Sequence, residues 1–165
     1  MTQQSTVSSG AASAAPGLPN HFGDSGIEWR PFITKGCYYK LLHVDVPARQ
    51  TDMLVKFEAN SECMYHRHAA TTTTLVLAGE LRVREQTPAG EAVKVKPAGS
   101  YSIGGEGEVH IEGSGDEPAI IFFSMRTDTD VIYELLNPDL SLRKAITVAD
   151  FDLDWREKWP AEAAR

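Results

Sequence analysis

The feature that most restricts the fold is a series of short segments in which apolar and polar residues alternate. In residues 37–46, for example, Leu42, Val44 and Val46 share one parity, and Leu41, His43 and Asp45 take the other. A period of two is typical of a β-strand, because successive side chains point to opposite faces of the sheet. Glycine- or proline-containing turns separate the segments, at positions 47, 78–80, 88–90, 97–99, 104–105 and 113–115. Many short strands at this spacing predict an all-β sandwich or barrel.

The sequence argues against several other classes of protein. Strands do not alternate with helical segments, and no helical pattern follows the glycine-rich residues 104–107, so a nucleotide-binding α/β fold is not expected. The formal net charge is −7 and the basic residues are scattered, which argues against a nucleic-acid partner. No window approaches eighteen apolar residues and no secretory signal is recognisable, so we expect no membrane span and a cytoplasmic location.

The 165 residues divide into three parts. Residues 1–20 are small and polar without a periodic apolar face, which predicts a disordered tail. Residues 27–126 contain the strand series and are expected to form a single barrel domain. Residues 127–165 are expected to form an extension that packs on the barrel or on a partner subunit. A short helix is predicted over residues 150–159, with Asp150 as its cap and with Phe151 and Trp155 on one face.

Two histidines in the middle of the chain are the first candidates for chemistry. His66 and His68 lie two apart in a segment with strand character, so both would project from one face. Two imidazoles side by side form half of a site for a divalent transition metal. The alternative is a pair of surface histidines, or one buried and one exposed. Cys63 would face the opposite side of such a strand and is expected to be a half-buried apolar residue.

A third candidate histidine lies near the end of the strand series, in residues 106–112. His110 shares its parity with Glu106, Glu108 and Glu112, and apolar residues take the other parity. A strand of this kind turns to one side residues that could bind a metal or accept hydrogen bonds from its ligands. The same pattern also fits an exposed polar edge, which we expect for Glu106 and Glu108. Periodicity alone leaves both possibilities open for His110.

Taken together, these motifs resemble those of the cupin superfamily over about residues 53–125. His66 and His68 match the H-x-H of the first motif, and Gly79 matches the glycine in the turn that follows it. Residues 97–99, Pro-Ala-Gly, match the P-x-G of the second motif, and His110 follows as its histidine. The resemblance implies a jelly-roll β-barrel.

Two departures from the usual cupin pattern narrow the resemblance. The usual glutamate ligand would fall near Thr72, where no acid is present, and the third histidine lies beyond the usual position, which Ser102 occupies. Both departures are similar to the three-histidine cupins, such as the dioxygenases that cleave acetylacetone or 2,4'-dihydroxyacetophenone. That resemblance implies a non-haem Fe(II) held by His66, His68 and His110.

The function implied by this resemblance is cleavage of a C–C bond of a small diketone or hydroxy-ketone with O₂. Fe(II) is the expected metal, although three histidines also suit Zn, Ni or Mn. The partners would be a small-molecule substrate and O₂, and cupins of this size are expected to form a homodimer or homotetramer. Two alternatives stay open: a non-redox metal cupin with isomerase or lyase activity, and a cupin that binds a small ligand without catalysis.

Further candidates are assigned by parity or by position in the motifs. Glu112 shares parity with His110, and Glu62 shares parity with His66, so either could be a fourth ligand. The threonine run at 71–74 is expected to form a strand. His43 and His21 are not expected to be ligands. The candidates for substrate binding are Thr72, Met64, Tyr101 and Glu112.

Overall fold

The computed structural model describes residues 25–164 of the chain, so the predicted tail at 1–20 and His21 lie outside the described residues. Within that range there are twelve strands and two helices. In chain order they are β1 (Arg30–Pro31), β2 (Cys37–Asp45), β3 (Gln50–Phe57), β4 (His66–His68), β5 (Thr71–Ala78), β6 (Glu80–Thr87), β7 (Gly90–Pro97), β8 (Tyr101–Gly104), β9 (Val109–Gly113), β10 (Ala119–Arg126), β11 (Val131–Leu136), β12 (Leu142–Thr147), α1 (Val148–Lys158) and α2 (Pro160–Ala163).

The strands form two six-stranded sheets with antiparallel pairing. The strand order is β1-β2-β3-β10-β5-β8 in the first sheet and β12-β11-β4-β9-β6-β7 in the second. Both sheets contribute to one buried core, which includes Val55 and Ile121 from the first and Leu81 and Leu135 from the second. This arrangement confirms the all-β jelly-roll fold predicted from the sequence.

The second sheet continues beyond residue 126, into the part of the chain that the sequence analysis placed in an extension. Strand β11 pairs with β4, which contains the H-x-H, and β12 pairs with β11. Ile132, Tyr133, Leu135 and Leu136 are all buried. A strand buried on both faces shows no alternation of apolar and polar residues, and periodicity therefore did not reveal β11.

The first helix begins at Val148, and its cap is Thr147 rather than the predicted Asp150. Thr147 Oγ1 accepts a hydrogen bond from the backbone N–H of Asp150 at 3.1 Å. The Asp150 carboxylate in turn accepts from the backbone N–H of Thr147 at 2.8 Å. These reciprocal bonds form a capping box, in which the acid occupies the third helical position. The prediction placed the cap three residues too late, because Thr147 also ends β12.

Replacement of Thr147 with alanine is expected to lower the free energy of unfolding by about 1 kcal/mol, the usual effect of losing an N-cap side chain. Urea denaturation of the metal-free protein measures the change. Thr147→Ser retains the hydroxyl and is the matched control, so its unfolding midpoint should stay near that of the parent. Equal loss in both variants would contradict the assignment of the cap.

The C-terminal helices pack on β2 of the same chain. The Tyr39 hydroxyl donates to Asp154 Oδ2 at 2.6 Å. Lys40 Nζ lies 2.7 Å from the Glu162 carboxylate and 5.0 Å from the centre of the Trp159 ring. Charged and aromatic contacts thus hold both helices against β2. Neither helix within residues 25–164 has the length and apolar character needed to cross a membrane.

Candidate metal centre

Two neighbouring strands of the second sheet bring the three candidate histidines together. His66 and His68 project from the same face of β4 because they lie two residues apart. His66 is paired with His110 across the β4–β9 register, so the third ring is placed beside the first two. All three side chains are buried. The structure therefore brings together the three residues that the sequence nominated as ligands.

The Nε2 atoms of the three rings converge. His68 Nε2 lies 3.1 Å from His66 Nε2 and 3.1 Å from His110 Nε2. Nitrogens that share one ion through bonds of about 2.1 Å are separated by about 3.0 Å at right angles and by about 3.4 Å in a tetrahedron. The observed separations fall within this range. The cluster thus has the dimensions of a site for a single transition-metal ion.

Hydrogen bonds behind two of the rings fix the nitrogen that faces the centre. His66 Nδ1 lies 3.1 Å from the carbonyl oxygen of Met64, which can only accept. His68 Nδ1 lies 2.8 Å from Thr72 Oγ1, and that hydroxyl donates to the carbonyl of Ala70 at 3.2 Å. In the neutral form of each ring Nδ1 therefore carries the hydrogen, and the Nε2 lone pair is directed into the cluster. This tautomer makes Nε2 available to a metal ion at the centre of the cluster.

Glu112 adds a carboxylate to the cluster from the same strand as His110. Its Oε2 lies 3.5 Å from His66 Nε2, and its Oε1 lies 3.7 Å from His110 Nε2. The four side chains offer ligand atoms that all lie within 4.8 Å of one another, and all four are buried. The sequence left open whether Glu112 or Glu62 joins the site. The structure places Glu112 there, whereas Glu62 is exposed and forms an ion pair with Arg84 at 2.6 Å.

The charges of these groups suit a cation. Burial would raise the pKa of Glu112, but the neighbouring imidazoles of His66, His110 and His68 lower it to about 2, so the carboxylate is ionised. Burial, followed by repulsion from His66, lowers the pKa of His68 to about 3. Burial also lowers the pKa of His110. Burial lowers the pKa of His66 as well, but Cys63 and Glu112 outweigh it and raise the value. The carboxylate thus favours positive charge at the centre of the cluster.

Thr72 occupies the position where a cupin of the usual pattern has a glutamate ligand. Its hydroxyl accepts a hydrogen bond from His68 and so acts behind the ligand set. Thr72→Val keeps the shape but removes this acceptor, and we expect the affinity for a divalent metal to fall about 10-fold, as is usual for such partners. Competition with a chelator measures the affinity. Thr72→Ser should restore it, and an unchanged affinity in Thr72→Val would contradict the role.

The remaining sequence candidates lie in different places. Met64 lines an apolar cavity beside the cluster. Tyr101, predicted to bind substrate, is 63% exposed and lines neither of the cavities beside the cluster, because Ser102 rather than Tyr101 faces inward on the edge strand β8. Cys63 Sγ lies 3.5 Å from His66 Nδ1, although parity placed it on the opposite face. Residues 62–65 precede the strand, so parity does not apply to them.

Two cavities adjoin the cluster, and His68 and Glu112 line both. The apolar cavity has a volume of about 50 Å³ and is bounded by side chains that include Phe57, Phe123 and Met125. The polar cavity has a volume of about 90 Å³, and lysine, glutamate, threonine and serine side chains form most of its wall. The sequence pattern did not nominate the polar cavity residues of β6 and β7, which are Glu85, Lys94 and Lys96. The alternation of polar and apolar residues in these strands was visible, but it does not show which face of a strand points inward.

A jelly-roll β-barrel that encloses a buried cluster of three histidines and a glutamate defines a cupin with a candidate metal site. Residues 22–128 match the ChrR cupin-like domain, and since the match covers more than half of the chain, the protein belongs to this family. No curated protein matches the sequence.

Solved structures show the same fold. An acetylacetone dioxygenase from Acinetobacter johnsonii is 15% identical, with a TM-score of 0.66, over 94% of this chain and 99% of that one. A proposed acetylacetone dioxygenase from Methylibium petroleiphilum PM1 is 19% identical, with a TM-score of 0.66, over 91% and 99%. An RmlC-like cupin from Ralstonia eutropha JMP134 is 18% identical, with a TM-score of 0.66, over 81% and 82%. At these identities the likeness concerns the fold alone.

Proposed function

We propose that the protein is a cupin dioxygenase that cleaves a C–C bond of a small diketone or hydroxy-ketone with O₂ at an Fe(II) ion. His66, His68 and His110 would hold the metal. The observation that supports this most strongly is the convergence of the three Nε2 atoms beside an apolar cavity, with that of His68 lying 3.1 Å from each of the other two. The resemblance to three-histidine cupins and the fold shared with acetylacetone dioxygenases favour this activity over others.

The donor set fits a metal of this kind. Imidazole nitrogens suit Fe(II), and a bound Fe(II) ion would supply both Lewis-acid and redox chemistry. The protein's own residues then have definable roles. The Met64 carbonyl and the Thr72 hydroxyl hold two of the rings in a fixed orientation. The aromatic and thioether side chains of the apolar cavity exclude water and provide a surface for an apolar group or for O₂.

The size of the cavities limits the substrate. One water molecule requires a cavity volume of about 10–15 Å³. Cavities of about 50 and 90 Å³ therefore admit several groups of that size. A small diketone or hydroxy-ketone of a few heavy atoms is of this size. A large or polymeric substrate could enter only with one of its ends.

The test is oxygen uptake by protein loaded with Fe(II) under anaerobic conditions. Acetylacetone and 2,4'-dihydroxyacetophenone are added separately, and O₂ consumption and products are measured. We expect one O₂ per C–C bond cleaved, with both oxygen atoms in the products, a carboxylic acid and a second carbonyl compound. A protein with full iron occupancy that consumes no O₂ with either ketone would exclude the activity on these substrates.

A second candidate function follows from Glu112. If its carboxylate joins the three histidines, the charge of a divalent site falls to +1, a donor set that also suits Zn, Ni or Mn in an isomerase or lyase. Glu112→Gln keeps the shape and removes the charge. A loss of affinity for Zn(II) well above 10-fold, together with Zn, Ni or Mn in the purified protein and no O₂ uptake, would favour this function over the first.

Self-association is part of the proposal. The homodimer or homotetramer comes from the resemblance alone and stays a prediction. Sedimentation equilibrium of the full chain measures it directly, and a monomer at micromolar concentration would contradict it.

A further inference from the structure

Strand β7 turns its apolar side chains toward solvent and its charged side chains toward the interior, the opposite of the usual arrangement. Val93 and Val95 are 52% and 51% exposed on its outer face. Lys94 and Lys96, which alternate with them, line the polar cavity inside the barrel. A strand that places its valines toward water and its lysines toward the interior gives up apolar burial. Such a local conflict with the usual pattern is expected at functional sites.

The two lysines have different partners. Lys94 Nζ lies 2.9 Å from Glu85 Oε1, and its side chain is 62% exposed. Lys96 is half-buried, and its Nζ donates to Ser102 Oγ at 2.9 Å. Among the described residues that line the cavity, no carboxylate lies within ion-pair distance of Lys96. The ammonium group of Lys96 therefore keeps donors for a ligand in the cavity.

The cavity connects this ammonium group with the metal cluster. His68, His110 and Glu112 line it together with Lys96 and Ser102. Ser102 lies opposite Thr74 in the β5–β8 pairing, which directs its hydroxyl toward the interior. A ligand in the cavity can therefore contact both the cluster and Lys96.

The charges of the cavity wall favour an anion once a metal is bound. Three carboxylates, those of Glu85, Glu108 and Glu112, face two ammonium groups, so the wall alone has a slight negative excess. A divalent cation reverses the sign. An anionic ligand is then attracted by both the metal and Lys96, while the Lys94–Glu85 pair largely neutralises itself.

We propose that Lys96 and Ser102 bind the carboxylate of an acidic substrate, a small β-dicarbonyl acid whose carbonyl oxygens reach the metal. This names the substrate class of the proposed function and rests on the metal site that function uses. The acid would lie in the polar cavity. The apolar cavity would remain for the hydrocarbon end of the substrate or for O₂.

The test compares two ligands with the same β-diketone group, acetylacetone and 2,4-dioxopentanoate, in which a carboxylate replaces a terminal methyl. Binding to the Zn(II)-loaded full chain is measured by calorimetry, so no oxygen chemistry is involved. We expect the acid to bind at least about 10-fold more tightly than acetylacetone, the usual effect of a hydrogen bond to a charged group. In Lys96→Met this preference should disappear, because the acid should lose more than about 10-fold in affinity and acetylacetone, which has no carboxylate, should lose much less.

Lys94→Met is the matched control, because Lys94 lies on the same strand and lines the same cavity. It should keep most of the preference for the acid, and Lys96→Arg should retain part of it. Equal losses in Lys94→Met and Lys96→Met, or equal losses for both ligands, would overturn the proposal. So would an unchanged preference in Lys96→Met.

An inward lysine on an edge strand also discourages pairing with other chains. If Lys96 served only to prevent such pairing, Lys96→Met would aggregate, as measured by light scattering, without a change in ligand preference. That result would overturn the proposal. Because the assay uses Zn(II), its outcome is independent of O₂ consumption. Failure of the dioxygenase activity and failure of carboxylate binding are therefore separate results.

Discussion

Replacing His110 with alanine is expected to abolish tight binding of a divalent transition metal. The substitution removes a buried imidazole whose Nε2 lies 3.1 Å from His68 Nε2, and leaves two rings on β4 with Glu112. The affinity for the metal should fall by more than about 100-fold. Removing a residue that only hydrogen-bonds to a metal ligand already costs up to about 100-fold, and loss of the ligand itself should cost more. Competition with a chelator of known affinity gives the constant, and elemental analysis gives the occupancy.

His43→Ala is the matched control, since it makes the same substitution at an exposed histidine on β2 whose ring packs edge-on against Trp155. Its metal affinity should equal that of the parent. Thermal unfolding supplies a second readout, because a ligand that binds only the folded state raises its stability. Added Zn(II) should raise the melting temperature of the parent and of His43→Ala, but not that of His110→Ala. Unchanged metal content in His110→Ala would exclude His110 as a ligand.

Gly79→Ala is expected to be the most destabilising single substitution in the turns of the barrel. Gly79 joins β5 to β6 with φ of +66°, and a Cβ there would lie 2.2 Å from the carbonyl oxygen of Pro118. The clash is with backbone just before β10, so a side-chain rotation cannot relieve it. We expect the free energy of unfolding to fall by about 3 kcal/mol or more, above the roughly 1–2 kcal/mol of a left-handed residue alone.

Gly99→Ala measures the cost of a left-handed backbone conformation without a steric clash. Gly99 has φ of +87°, and a Cβ there would have no atom within 4 Å. Its loss should stay near 1–2 kcal/mol, as expected for strain without a clash. Urea unfolding of the metal-free proteins gives both values, provided that the dependence on urea is the same. Equal losses at the two glycines would show that the contact with Pro118 has no effect.

The sequence predicted those parts of the fold and site that depend on local rules. Alternation predicted the strands and hence the all-β class. The spacing of His66 and His68 predicted their common face, and the motif order added His110 as the third histidine. Alternation and parity failed where a strand has no solvent-exposed face or where a residue lies outside a strand. Strand β11 is buried on both faces, so it shows no alternation. Cys63 lies outside a strand, so its parity did not predict its contact with His66.

Only the tertiary structure decided which of the candidate groups meet. Parity nominated Glu62 and Glu112 equally, but the pairing of β4 with β9 brings Glu112 into the cluster and leaves Glu62 at the surface with Arg84. Likewise, alternation in β7 was plain from the sequence, whereas the choice of Lys96 over Val95 for the interior was not. Parity divides a strand into two faces, but long-range pairing and packing determine which face is enclosed. The sequence therefore determined most of the strands and the three histidines, and the fold determined the fourth member of the cluster and the cavity beside it.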